Sequence, residues 1–184
     1  FGRCLGLYLK DAVARTVAQA PECATQLIGF QAPPLTILAR SKWIHHTPEL
    51  ADDMHGIADV LLAGGADVNL GAPIYAGNDY KLSPLYFAIG HADNMRLGRW
   101  LLENGADPND GESLYHATEL GHHDGLEMLL AHGADPKGTN ALLRAMDFHD
   151  TGAVQMLLSH GAQVDEFNGT HVGGEAPWVV PALH

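Results

Sequence analysis

Histidine is the residue that first invites a chemical reading, with twelve copies in 184 residues. They gather as His45-His46, His122-His123-Asp124 and His149-Asp150. A zinc site would need ligands at i and i+4 on one helix face, as in H-E-x-x-H, or Cys/His finger spacing, and neither occurs. His132 and His160 lie 28 residues apart in a repeated pattern, which separates them too far to share one ion. Nucleophilic catalysis asks for an elbow such as G-x-S-x-G, yet Ser41, Ser83, Ser113 and Ser159 fall at turns or helix positions outside any such motif. The glycines of Ala63-Gly64-Gly65-Ala66 lack the G-K-[ST] ending of a phosphate-cradling loop. Asp52-Asp53 and Asp165-Glu166 read as solvated charge. Nothing in these residues argues for an enzyme or implies a cofactor.

Composition narrows the partner class. Apolar residues make up 46% of the chain, enough for a buried core. The net charge is −12, and all of it arises after residue 56, where five basic residues face seventeen acidic ones. That sign disfavours nucleic acid and anionic membrane surfaces, both of which need clustered Lys and Arg. No apolar run approaches the roughly 20 residues of a bilayer span. Two cysteines, Cys4 and Cys23, are too few for a disulfide framework, and a cytoplasmic location is the expectation. The chain opens at Phe1 without Met and stops inside a repeat start, so a piece of a longer protein is expected.

Any chemistry must be positioned by the elements, and these repeat. Leu101-Leu102-Glu103-Asn104-Gly105-Ala106-Asp107-Pro108 returns as Leu129-Leu130-Ala131-His132-Gly133-Ala134-Asp135-Pro136. It returns again as Leu157-Leu158-Ser159-His160-Gly161-Ala162, and an earlier copy runs Leu61-Leu62-Ala63-Gly64-Gly65-Ala66-Asp67-Val68-Asn69. Each copy follows a second short apolar segment, such as Ser83-Pro84-Leu85-Tyr86-Phe87-Ala88 or Ser113-Leu114-Tyr115-His116-Ala117. Leu126, Leu129 and Leu130 fall at i, i+3 and i+4, as do Val154, Leu157 and Leu158, so the longer segments are helices with one apolar face. Trp100 aligns with Met128 and Met156 and is expected in the core.

The T-P-L-H-x-A, G-H and L-L-x-x-G-A-D-x-N signatures in these segments resemble ankyrin repeats. The resemblance implies an all-α solenoid of stacked helix-turn-helix units, a single domain over 1–184. Its repeats are a degenerate one at 1–25, then 33–69, 83–109, 112–136 and 140–164, with the start of another at 180–184. Two repeats are 28 residues long where about 33 is usual, and a bacterial source is the expectation. The missing residues fall where the family places its projecting hairpin, so tight turns are expected at Asp110-Gly111 and Lys137-Gly138. Long inserts at 41–54, 70–82 and 165–179 carry Trp43, Tyr75, Tyr80, Phe167 and Trp178.

The family mostly binds other proteins on a concave face. Carried over by position, the contacts are Arg40 and Ser41, Tyr80 and Lys81, Glu119 and Leu120, and Asp147 and Phe148. Asn104, His132 and His160, each just before a closing Gly, complete the set. Gly90 and His91 fit less well, because that repeat holds one extra residue before its second helix. The expectation is an acidic face binding a partner protein with a basic segment. The alternative is a small-ligand or metal-dependent activity in the inserted loops near Trp43, His45, His46 and Tyr75.

Overall fold

The computed structural model describes residues 1–29 and 31–170; Trp178 and the repeat start at 180–184 lie outside them. The chain divides into two compact units, Phe1–Asp107 and Pro108–His184. Both are built of paired helices, and among the described residues the strand content is one two-stranded hairpin.

In the first unit, α1 (Gly2–Gly6) and α2 (Lys10–Gln19) form the degenerate repeat. Next come α3 (Pro34–Ala39) and α4 (Ala51–Ala63), parted by two 3-10 turns at Trp43–His45 and Pro48–Leu50. The hairpin β1 (Ala72–Pro73) and β2 (Lys81–Leu82) follows, then α5 (Pro84–Tyr86) and α6 (Met95–Glu103). The second unit holds α7 (Ser113–Ala117), α8 (Asp124–Ala131), α9 (Ala141–Asp147) and α10 (Thr151–Ser159).

The short helices start where the sequence can begin a helix without an orphaned donor. Pro34 and Pro84 occupy the first turn, and the Ser83 hydroxyl accepts from the Tyr86 N–H at 2.9 Å. Asn94 and Asp150 cap α6 and α10 in the same manner. The longer helices end alike. Gly65, Gly105, Gly133 and Gly161 have φ of +93°, +92°, +89° and +98°. The alanine after each donates to the carbonyl of Leu61, Leu101, Leu129 or Leu157 at 2.9–3.0 Å. This is a Schellman closure, in which a β-carbon at the left-handed residue costs about 1 kcal/mol. Those four leucines are fully buried.

The extra residue of the 83–109 repeat has a definite place. Phe87–His91 winds as a π-turn, with the Ala92 N–H donating to the Phe87 carbonyl at 2.9 Å. The helix therefore absorbs the insertion without shifting the leucines on either side.

Asparagine side chains tie loop to loop. Asn69 donates to the Gly105 carbonyl at 3.1 Å and accepts from the Asp107 N–H at 2.8 Å. Asn109 does the same to Gly133 and Asp135, at 3.4 and 2.7 Å. Tight left-handed turns at Gly111 (φ +86°) and Gly138 (φ +73°) replace the projecting hairpin in the second unit.

One expectation about the core is corrected. Trp100 is only half-buried, and its indole N–H donates to Asp59 Oδ1 at 3.0 Å on the outer side of α4 and α6. Of the aligned methionines Met128 is buried and Met156, also expected in the core, is only half-buried; the indole needs an acceptor for its N–H and finds one at the surface.

Candidate functional site

Three candidate residues of the second unit, Glu119, Asp147 and Phe148, converge on Arg144. Its guanidinium donates from Nε and Nη2 to Glu119 Oε1, each at 2.7 Å, and Nη1 stands 3.7 Å from Asp147 Oδ2. Cζ lies 5.5 Å from the Tyr115 ring centre and 4.9 Å from that of Phe148. Arginine stacks this way because its plane is weakly hydrated and positively charged against the ring face. The other oxygen of Glu119 pairs with His116 Nδ1 at 2.8 Å, and His116 Nε2 stands 3.3 Å from the buried Glu112 carboxylate.

Two carboxylates on one imidazole decide its charge. Burial alone would hold the His116 pKa down, but the bonds and charges of Glu112 and Glu119 outweigh it and push it up to about 9. His116 is therefore cationic at neutral pH. Burial works against ionised Glu119 too, yet His116 and Arg144 hold its carboxyl below the usual carboxylate range. The charge of Glu119 is thus directed inward, and Asp147, with a side chain 55% exposed, carries the outward negative charge of this rim. Phe148 is 51% exposed and Leu120 half-buried beside it in sequence register.

A hydrogen bond from His123 Nε2 to Asp150 Oδ2 at 2.9 Å ties the start of α10 to the turn before α8. The His123 ring covers Gly152, where an added β-carbon would stand 2.5 Å from it. The neighbouring His122 pads the turn, its Nδ1 accepting from the Asp124 N–H at 3.4 Å.

The candidates just before each closing Gly cap their own helices. His132 Nδ1 bonds the Met128 carbonyl and His160 Nδ1 the Met156 carbonyl, both at 2.8 Å. A carbonyl only accepts, so Nδ1 carries the proton and Nε2 is the outward atom. Asn104 uses its amide for the same bond, to Trp100 at 2.8 Å. These residues satisfy carbonyls that the helix end would otherwise leave bare.

In the first unit Ser41 is a structural tie. Its hydroxyl donates to the Gly6 carbonyl at 2.6 Å, and the Tyr8 hydroxyl donates to the Ser41 carbonyl at 3.2 Å. Arg40 ends α3 with its Cζ 5.0 Å over the Phe87 ring. Tyr80 and Lys81 belong to the hairpin, where Lys81 pairs with Pro73 and is exposed. Trp43 and His46 meet with ring centres 5.8 Å apart, while His45 Nε2 donates to the Ala92 carbonyl at 2.7 Å. Tyr75 stands on the hairpin tip, 63% exposed. Among the described residues, no group of three or more His, Cys, Asp or Glu stands together as a metal site.

Sequence reasoning missed Arg144, His116 and Phe87 as partners of the candidate residues. A usable signal was present: His116 and Arg144 are 28 residues apart, so they hold the same register position one repeat apart.

A family model described as ankyrin repeats, in three copies, matches residues 49–140 and 99–168. No curated protein matches the chain. Among solved structures, the human ASB11 ankyrin repeat domain is similar in fold, with a TM-score of 0.67 at 20% identity, covering 90% of this chain and 70% of that one.

Proposed function

The chain belongs to the ankyrin-repeat family, whose repeats generally mediate protein–protein interaction, and on that premise we propose that it binds a basic segment of a partner protein at the first-helix ends of its second unit. One observation carries this reading: Phe148 stands half in solvent against Arg144, which is itself held by Glu119 and the Tyr115 ring. Binding energy concentrates in such pre-positioned aromatic anchors, because little side-chain freedom is left to lose. The surroundings supply the sign. From residue 108 onward there are two basic residues against eleven acidic ones, a field that steers a cationic segment and holds it by rim contacts.

The test is an array of basic, neutral and acidic peptides probed with the labelled chain at low and high salt. Retention on basic peptides that fades as salt rises is expected. Equal retention of all three classes, or indifference to salt, contradicts the basic-segment reading.

A further inference from the structure

The register position that closes the first helix carries opposite charges in the two units. It is Glu119 and Asp147 in the second, but Arg40 in the 33–69 repeat of the first, whose 83–109 repeat holds the uncharged Gly90. Its neighbour from the following repeat is also in register: Arg144 meets Glu119, and Phe87 meets Arg40. In the second unit the meeting is a salt bridge in which each charge neutralises the other. In the first it is a cation–π contact, which orients the guanidinium and leaves its charge uncancelled.

Lys42 adds a second cation two residues on, and it is exposed. Among the described residues neither Arg40 nor Lys42 forms an ion pair. Both stand near His91, whose ring meets Phe87 edge-on at 5.9 Å. Burial, then the charges of Lys42 and Arg40, hold the His91 imidazole below its usual range. A cation at the end of α3 offsets the helix dipole, which accounts for Arg40 but not for Lys42 lying beyond the helix. Exposed Trp43 adjoins them in the chain and offers an apolar neighbour.

We propose that the Arg40–Lys42 rim docks an acidic segment of a protein partner, with a carboxylate on the pre-oriented Arg40 fork and a second on Lys42. An arginine held by its ring face keeps its N–H edge available for bidentate contact with a carboxylate. Nucleic acid suits the spot less well. A phosphate backbone needs a run of cations, whereas Arg40 and Lys42 supply two point contacts, enough for two carboxylates. The proposal rests on the protein-binding reading and deepens it: the partner presents opposite charges to the two units.

The experiment uses fluorescein-labelled peptides of about a dozen residues, rich in Glu and Asp around one Phe, titrated with the whole chain at low salt. A Gln/Asn counterpart, a Lys-rich counterpart and an oligothymidine of similar length complete the set. The acidic peptide is expected to bind at least tenfold tighter than its neutral counterpart, and Arg40→Gln with Lys42→Gln to erase that preference. Arg40→Lys keeps the charge but not the fork and should retain only part of it. If Arg40→Gln lowers the melting temperature, Lys42→Gln alone should still lose severalfold. Equal affinity for acidic and neutral peptides overturns the proposal, as does full affinity in the double variant. Tighter binding of the oligonucleotide through the same two residues overturns it as well. The Lys-rich peptide reports separately on the second unit: if it binds and depends on Phe148 while the acidic one does not bind, only the present proposal fails.

Discussion

Arg144 donates two hydrogen bonds to a single oxygen of Glu119, each at 2.7 Å, across the boundary between the 112–136 and 140–164 repeats. Side chains 20% and 25% exposed are dry enough for the pair to matter and wet enough that neither charge is stranded. Glu119→Gln should therefore cost about 1–2 kcal/mol, and Arg144→Gln a similar amount. The double variant should cost less than the two together, because each single change leaves its partner uncompensated. Urea unfolding of the four proteins closes the cycle. Strict additivity would show that the two residues act separately.

The same cluster sets a pH dependence. His116 is raised in the folded protein to about 9 from an ordinary 6.5, so its contribution to stability is complete below pH 6.5 and is lost as pH rises through about 9. A shift of that size corresponds to about 3 kcal/mol. The wild-type midpoint in urea should fall between pH 6.5 and 9 relative to that of His116→Gln, in which nothing titrates there at this position. An NMR titration locates the group directly. An imidazole of His116 titrating near 6.5 would remove the two-carboxylate account.

The loop clamp supplies a stabilising change. Asn69 and Asn109 each join the next loop through a carbonyl and an N–H, but the register position in the 112–136 repeat is Lys137. Its Cε lies 4.0 Å from where a β-carbon on Gly161 would stand, so the side chain already lies against that loop. Lys137→Asn should make the pair of bonds and add about 1 kcal/mol, roughly 2–4 °C in melting temperature for a chain of this size. Asn109→Ala should shift it the other way. A lower melting temperature for Lys137→Asn would mean that the 161–163 loop does not present the geometry seen at 105–107 and 133–135.

These elements differ in how openly the sequence displayed them. The leucines and closing glycines recur at fixed spacing because each repeat solves the same packing problem, so the helix pairs were legible residue by residue. The ends of the first helices were legible too, since Glu119, Asp147 and Phe148 fall where the pattern places them. What they touch was not legible, because the contact of Glu119 with Arg144 depends on how one repeat seats on the next. A charge that spacing presents as outward was in fact turned inward. The same blindness applied at Trp100, where alignment with two methionines suggested burial and the indole N–H required a surface acceptor. In the 83–109 repeat the extra residue was countable, but its storage in a π-turn followed from the fixed leucines around it.

The proposed binding surface separates into an anchor and a steering charge, and the two respond to different measurements. Phe148 packs on Arg144 with half its surface exposed, so its removal takes contact area from a partner and little from the core. Phe148→Ala should weaken binding of a basic peptide by about 2 kcal/mol or more, seen as faster dissociation. Asp147 stands 3.7 Å from Arg144 with an exposed side chain, at the edge of the cluster. Asp147→Asn should instead slow association at low salt, with an effect that shrinks as salt rises. Thermal melting should move little in either variant, in contrast to Leu129→Ala or Leu157→Ala, which empty fully buried positions and should cost about 2–5 kcal/mol. Surface plasmon resonance at two salt concentrations distinguishes these outcomes. If affinity survives Phe148→Ala combined with Leu120→Ala, the peptide is bound elsewhere on the molecule, and the rim built by Glu119, Arg144 and Phe148 serves only to join two repeats.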